Sequence, residues 1–292
     1  MLMLNNNKRI MECKKCLLNS QIATLSEING DYYCEECKAL LESPPDMEKI
    51  QSQWEEYIRN IKSSSKGKYD LLFALSGGKD SVAALYLTVK KYSLKPLVFT
   101  IDHGFKSDII MDNCKSAIDT LGLDWIIIKV DDSVKQKIKQ IIKSNDLPCI
   151  YCNKLWKATY FKQVVEFTNI KTVFTGGDIL VDNKAILNKS EWGVENIGLP
   201  LSLERLTEKQ IYDLAYKLNW KNPKIKGWDT DCIAVGASLY NYRNKNSCAY
   251  HVEELKHLSH RVRHGLLNKE TARERLLAKM DVAPDILSSF DL

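Results

Sequence analysis

No stretch of this 292-residue chain approaches the ~20 consecutive apolar residues that a membrane-spanning helix requires. Residues 1–10 lack the continuous apolar core of a secretory signal, so the expected compartment is the cytoplasm. Internal repeats and low-complexity tracts are absent too. Charge of one sign is not in large excess. A net charge of +5 and a pI near 8.6 accommodate a polyanionic partner without demanding one. What is present, 45% hydrophobic and 27% charged residues, is enough for one large α/β domain with small appendages. Nine cysteines in a reducing compartment are not read as disulfides, so their spacing points to metal or sulfur chemistry.

The most informative string is Ser76-Gly77-Gly78-Lys79-Asp80-Ser81. It follows the apolar run Leu71-Leu72-Phe73-Ala74-Leu75 and leads into Val82-Ala83-Ala84-Leu85-Tyr86-Leu87, an order that predicts a strand, a glycine turn and a helix start. Two glycines let the backbone approach an anion, the free N–H groups of the helix start point at it, and Lys79 adds a positive charge. Neither the Walker nor the Rossmann glycine spacing applies. The string resembles the PP-loop of the N-type ATP pyrophosphatases, which cleave ATP between its α and β phosphates, leaving an adenylated substrate and pyrophosphate. That resemblance implies an α/β fold of the adenine nucleotide alpha hydrolase-like kind, a parallel sheet with helices on both faces, with ATP and Mg2+ bound.

Cys13-Lys14-Lys15-Cys16 and Cys34-Glu35-Glu36-Cys37 are two CxxC pairs on either side of the turn Asn29-Gly30-Asp31. The spacing is that of a zinc ribbon, and four thiolates close a tetrahedral shell. The expected role of Zn2+ on Cys13, Cys16, Cys34 and Cys37 is structural, since the segment is too small to build its own core.

A third CxxC, Cys149-Ile150-Tyr151-Cys152, has no matching pair, and the next cysteine is Cys232. Three thiolates suit an iron–sulfur cluster, expected as 4Fe-4S, with one iron left open to hold substrate or sulfur. A disulfide-capable pair of Cys149 and Cys152, a second zinc site with Cys232 and Cys248, or a catalytic or persulfide-carrying thiol without a cluster remains open. At this point the chain resembles the cluster-dependent tRNA 2-thiolation enzymes, which carry a CxxC after the third strand and a distant lone cysteine. Thr172-Val173-Phe174-Thr175-Gly176-Gly177-Asp178 and Asp182-Asn183 stand where that family has a strand, a Gly-His-Asn run and aspartates, with Gly177 in place of the histidine. Leu199-Pro200-Leu201 stands where it has a proline-containing strand before a Glu-Lys-Glu helix. The carboxyl-terminal zinc knuckle of some members is missing. Cys114 and Cys248 lack partners at ligand spacing and read as ordinary free thiols.

Strands are predicted at 70–75, 96–101, 125–130 and 172–175, with helical patterns at 47–61, 81–92, 110–121, 133–144, 154–168 and 207–218. Strands separated by helices imply a parallel sheet, and ligands bind beyond the carboxyl ends of such strands. That gathers residues 76–81, Asp102-His103-Gly104 and 176–182 around one cleft. The expected organisation is a zinc ribbon at 1–45, a connecting helix and linker at 46–66, the PP-loop domain at 67–225 and a carboxyl-terminal segment at 226–292. In that last segment two helices flank Gly265. Their basic and histidine residues, Lys256, His257, His260, Arg261, Arg263 and His264, fit either a phosphate-bearing ligand or a solvated face.

The expected function is ATP-dependent sulfur transfer. Ser76, Gly77, Gly78, Lys79, Asp80, Ser81, Asp102 and Gly176 would hold the nucleotide, and Lys79, Asp80, Asp178 and Asp182 would serve magnesium and substrate activation. The partners would be a sulfur donor and an acceptor, either tRNA or a small molecule; no membrane is involved, and a homodimer is compatible. The competing expectation is an amidotransferase. The amino-terminal order CxxC, Gly30-x-x-x-Cys34-x-x-Cys37, helix, PP-loop resembles the N-acetyl sugar amidotransferases, as does Arg261-Val262-Arg263-His264-Gly265 ahead of a Lys269-Glu270-Thr271-Ala272-Arg273 helix. That family implies ammonia from a glutaminase partner. A non-catalytic nucleotide-binding or zinc-scaffold protein is the third class, separated from the enzymes by ATP–pyrophosphate exchange.

Overall fold

The computed structural model describes residues 10–65, 67–144, 146–222, 232–245, 252–278, 282 and 284–292. Cys248, the run 228–231 and Met280 lie outside the described residues. The chain divides into two compact units, Met1–Pro45 with Cys248–Ala278, and Asp46–Ser247 with Lys279–Leu292.

The smaller unit begins with a hairpin of β1 (Leu25–Ile28) and β2 (Asp31–Cys34), antiparallel, turning at Asn29 and Gly30. Both turn residues have positive φ, 52° and 82°, the conformation that Asn-Gly hairpins favour. The helix Glu35–Glu42 follows directly. Far along the chain, the helices Val252–Arg263 and Lys269–Leu277 supply Leu255, Leu258, Val262, Leu267, Ala272 and Leu276 to a core shared with the four amino-terminal cysteines, Leu17 and Leu18. A ribbon too small to bury itself is thus closed by the carboxyl-terminal helices.

In the larger unit a six-stranded sheet is built from β3 (Leu71–Ala74), β4 (Pro96–Asp102), β5 (Trp125–Lys129), β6 (Thr172–Thr175), β7 (Ile186–Lys189) and β8 (Val194–Gly198), in the order β5-β4-β3-β6-β8-β7. Five strands are parallel, and β7 pairs antiparallel with β8 at the edge. Side chains alternate between faces as the pleat requires. Leu71, Phe73, Val98 and Phe174 meet one apolar cluster, while Leu72, Phe99, Val173 and Ile197 meet the other. The helices Met47–Ser64, Lys79–Tyr86 and Glu208–Tyr216 cover the first face, and Asp132–Lys143, Lys162–Thr168 and Ile233–Lys245 the second. Trp54, 1% exposed, packs on Phe174 with ring centroids 5.3 Å apart; truncating such a residue costs about 3–5 kcal/mol.

The four strands read from sequence are β5, β4, β3 and β6, consecutive in the sheet from its β5 edge inward. The proline-containing strand expected at 199–201 is instead the junction of β8 with a short helix, Pro200–Glu204, which Pro200 opens at its first turn. Proline cannot donate to a sheet ladder, but its fixed φ suits a helix start.

Candidate functional site

The chain runs from β3 outward through β4 and β5, then returns to β6 on the opposite side of β3. Connections from β3 and β6 therefore diverge, and the crevice beyond their carboxyl ends is the place where such sheets bind ligands. The glycine turn after β3 and the Gly-Gly turn after β6 both stand there.

The turn is stitched by one hydroxyl. Ser81 Oγ donates to the Gly78 carbonyl at 3.0 Å and accepts from the backbone N–H of Gly77 at 3.2 Å and of Ser76 at 3.3 Å, and it lies 2.8 Å from Ser76 Oγ. Gly77, at φ +91°, leaves no room for a side chain, since a Cβ would stand 2.6 Å from the Ile110 carbonyl oxygen. Trp220 Nε1 donates to the Gly77 carbonyl at 3.0 Å. The second turn closes against this one: a Cβ on Gly176 would meet Ser81 Cα at 2.5 Å and Ser81 N at 2.6 Å. Only a glycine lets the backbone after β6 lie on the start of the helix Lys79–Tyr86.

Lys79 is 4% exposed. Its ammonium sits 3.0 Å from Asp80 Oδ2 and 5.8 Å from the Tyr212 ring centroid, so its charge reaches the turn from a packed position. The other oxygen of Asp80, Oδ1, is buried without a hydrogen-bond partner. Asp178 follows Gly176 closely in sequence. Asp182 stands exposed at φ +50° on a turn closed by the Val181–Lys184 bridge. Asp102, at the end of β4, accepts the Gly104 N–H through Oδ1 at 2.9 Å.

Lys106, absent from the sequence reading, is the second cation here. Its Nζ donates to the Ser76 carbonyl, and its backbone pairs with Cys232 in an antiparallel bridge. Ile233 N donates to the Phe105 carbonyl at 3.3 Å. The loop after β4 thus touches both the glycine turn and the start of the helix Ile233–Lys245. Its position just after Asp102-His103-Gly104 was the only available sign.

Cys149, Cys152 and Cys232 come together although eighty residues separate the pair from the third. Cys149 opens the helix Cys149–Leu155, earlier than the helix start expected at 154. Cys149 and Cys232 share an apolar wall of Leu147, Val235 and Leu239, and Cys152 and Cys232 pack on the second core cluster. Burial first, then the neighbouring Cys232, pushes the Cys149 thiol up to about 12 and raises Cys152 in the same way. Such thiols stay protonated unless a cation draws the proton off. His103 lies beside them, its Nε2 4.0 Å from Cys232 Sγ.

In the smaller unit, Cys13, Cys16, Cys34 and Cys37 are all 0% exposed. Their sulfurs lie within 4.8 Å of one another, the group among the described residues with metal-ligand spacing. Mutual hydrogen bonds lower the Cys13 thiol and raise that of Cys37. Arg263 aims a guanidinium N–H at Cys34 Sγ, 4.0 Å away, and pairs with Glu36 at 3.5 Å. Lys269 donates to the Cys13 carbonyl at 2.7 Å.

A strand, an SGGKDS turn and a helix at the divide of a mostly parallel sheet resemble the PP-loop ATP pyrophosphatases. No family model matches the chain. Over 91% of its length, and 93% of the relative's, the chain is 29% identical to the uncharacterized protein MJ1599 of Methanocaldococcus jannaschii. It is 26% identical to the tRNA-specific 2-thiouridylase MnmA of Thermotoga petrophila, over 58% of each chain. Similar solved structures include the U34-tRNA thiolase NcsA from Methanococcus maripaludis with its [4Fe-4S] cluster, at TM-score 0.44 and 17% identity, covering 91% of this chain and 88% of that one. NMN synthetase from Francisella tularensis follows at TM-score 0.43 and 15% identity, with 82% and 99% covered. None of the described helices is long and apolar enough to cross a membrane.

Proposed function

We propose that this chain is an ATP-dependent sulfurtransferase that adenylates a carbonyl oxygen and replaces it with sulfur. The observation that carries the reading is the loop 102–106, which joins the glycine turn through Lys106 and Ser76 to the cysteine site through Lys106 and Cys232. Nucleotide chemistry and sulfur chemistry would then share one cleft. The 2-thiouridylase relative supports the same class.

ATP would lie with its phosphates over the N–H groups of residues 76–81. An acceptor carbonyl oxygen attacks the α-phosphorus, the bond to the β-phosphate oxygen breaks, and pyrophosphate leaves. The helix start, Lys79 and Lys106 offset the charge that develops on the leaving group. Asp80 would hold Mg2+ with Asp178 and Asp182, and the buried, unpartnered Asp80 Oδ1 fits a cation; the ion supplies charge neutralisation on the phosphates.

Hydrosulfide then attacks the activated carbon, the carbon–oxygen bond breaks, and AMP carries the oxygen away. The proton of hydrosulfide ends on solvent or pyrophosphate, and no electrons are exchanged. A persulfide donor would instead leave a disulfide and call for a reductant. Cys149, Cys152 and Cys232 would hold an iron–sulfur cluster, which offers an iron without a protein ligand as a binding position for sulfide. The fit rests on Cys149 and Cys232 sharing one apolar wall, with Cys152 near enough for both to raise its thiol; a tetrahedral ion with metal–sulfur bonds of ~2.3 Å belongs instead in the four-cysteine group, whose sulfurs lie within 4.8 Å of one another. That group would hold a structural zinc ion.

The acceptor is a thiolatable carbonyl in tRNA or in a small molecule. Amidation of a sugar would leave the three cysteines without a role. ATP–pyrophosphate exchange together with iron and sulfide analysis of anaerobically prepared protein tests the assignment. Exchange with iron present supports it, and exchange by iron-free protein that aminates a sugar with ammonia would replace it.

A further inference from the structure

His103 is a buried histidine that the phosphate chemistry does not use. It is 8% exposed, and its ring lies parallel to Trp156, 4° between planes and 5.9 Å between centroids. Trp156 belongs to the π-helical turn Trp156–Phe161, which continues the helix opened by Cys149. One wall of the imidazole is therefore the same structural run that carries Cys149 and Cys152.

The ring's two nitrogens have separate tasks. Nδ1 accepts the backbone N–H of Phe105 at 3.2 Å. A neutral imidazole whose Nδ1 accepts must carry its proton on Nε2. That nitrogen faces Cys232 Sγ at 4.0 Å. The lone pair that could take a proton or bind a metal is already committed to the backbone, which removes general base and fourth iron ligand from the roles open to this residue in this arrangement.

Resting on the reading that Cys149, Cys152 and Cys232 carry the sulfur chemistry, we propose that His103 is a positioning residue which directs its Nε2–H at the sulfur of Cys232. The donor fixes the direction of that sulfur and withdraws electron density from it, as outer partners of ligating atoms do. Because His103 orients Cys232 without ligating, a cluster held by the three cysteines would keep a position open for sulfide. The rigidity comes from the loop itself, since Phe105 and Lys106 on the same segment pair with Ile233 and Cys232 through the backbone.

The test compares wild type with His103→Leu, which removes the donor, and His103→Gln, which keeps an N–H group. In the full-length, iron-free, reduced protein, ring 15N shifts should report a proton on Nε2. At fixed pH 7.5, alkylation of Cys232 by iodoacetamide, followed by peptide mass spectrometry, should slow about tenfold in the leucine variant, the scale of one hydrogen bond to a charged group. The glutamine variant should recover most of that rate. In reconstituted protein, the leucine variant should keep its iron while its midpoint potential moves to more negative values. Unchanged alkylation and potential in the leucine variant, or a proton found on Nδ1, would overturn the proposal. Loss of iron in both variants would overturn it as well, because that marks a ligand. Should the leucine variant fail to fold, the ring shifts of wild type and the glutamine comparison still decide. If the Nε2 proton and the alkylation change are present in a protein that never binds iron, the pairing of His103 with Cys232 stands and the cluster reading falls.

Discussion

Lys106 donates from its side chain to the carbonyl of Ser76. The same residue pairs through its backbone with Cys232, so one segment links the turn that would hold phosphate to the cysteine that would hold sulfur. Lys106→Met should preserve the fold, because the half-buried side chain keeps its aliphatic stem in the substitution. It should lower ATP-dependent AMP formation about 10- to 100-fold, the value of one charge-assisted hydrogen bond. Single-turnover AMP release measures this, and an unchanged rate would remove Lys106 from the site.

The two glycines after β6 separate packing from chemistry. Gly176→Ala places a Cβ against Ser81 backbone at 2.5 Å and Gly177→Ala places one against the Leu199 side chain at 2.9 Å. Backbone cannot yield as a leucine tip can. Gly176→Ala is expected to cost about 1–3 kcal/mol of stability and to abolish most AMP formation, while Gly177→Ala keeps the larger share of both. Thermal melts paired with AMP assays check the order, which would be wrong if the two variants behaved alike.

Lys79→Ala and Asp80→Ala should each leave a folded protein that makes AMP at least about 100-fold more slowly. Truncating Lys79 also opens space beside Tyr212, so the Asp80 variant is the cleaner reading. Circular dichroism and AMP production together settle it, and normal AMP production by the double variant would end the ATP pyrophosphatase assignment.

Much of this architecture is readable from residues alone. The apolar runs at 71–75, 96–101 and 172–175 announce central strands because both faces of a parallel sheet are buried, and a glycine pair ahead of a helix marks the anion turn. The strand Ile186–Lys189 and the strand Val194–Gly198 stayed hidden because an edge hairpin carries polar residues at Asn188, Glu195 and Asn196. Pro200 drew attention to the wrong segment for a related reason. The start of the cysteine helix at Cys149 followed Pro148, where a turn is the simpler local reading. Nothing local signals that Leu255, Leu258 and Val262 close over Cys13 and Cys37, or that Lys106 reaches Ser76. Both are long-range contacts, which only the folded chain creates.

The four-cysteine group should bind zinc independently of iron. Cys13→Ser or Cys37→Ser is expected to lose the zinc and lower the melting temperature while iron content stays unchanged, because the two sites draw on different units. Arg263→Gln removes the guanidinium N–H that faces Cys34 together with the ion pair to Glu36. It should weaken zinc about 10- to 100-fold, as read by chelator competition. Full zinc retention by the cysteine variants would contradict a metal ribbon.

The central claim joins ATP activation to sulfur held by Cys149, Cys152 and Cys232, and iron and acid-labile sulfide analysis of the anaerobically reconstituted chain tests it most directly. The account predicts about four irons and four sulfides per chain, as a [4Fe-4S] centre requires, and their loss when any of the three cysteines becomes alanine. Iron-free protein that still converts its acceptor at the full rate would contradict it.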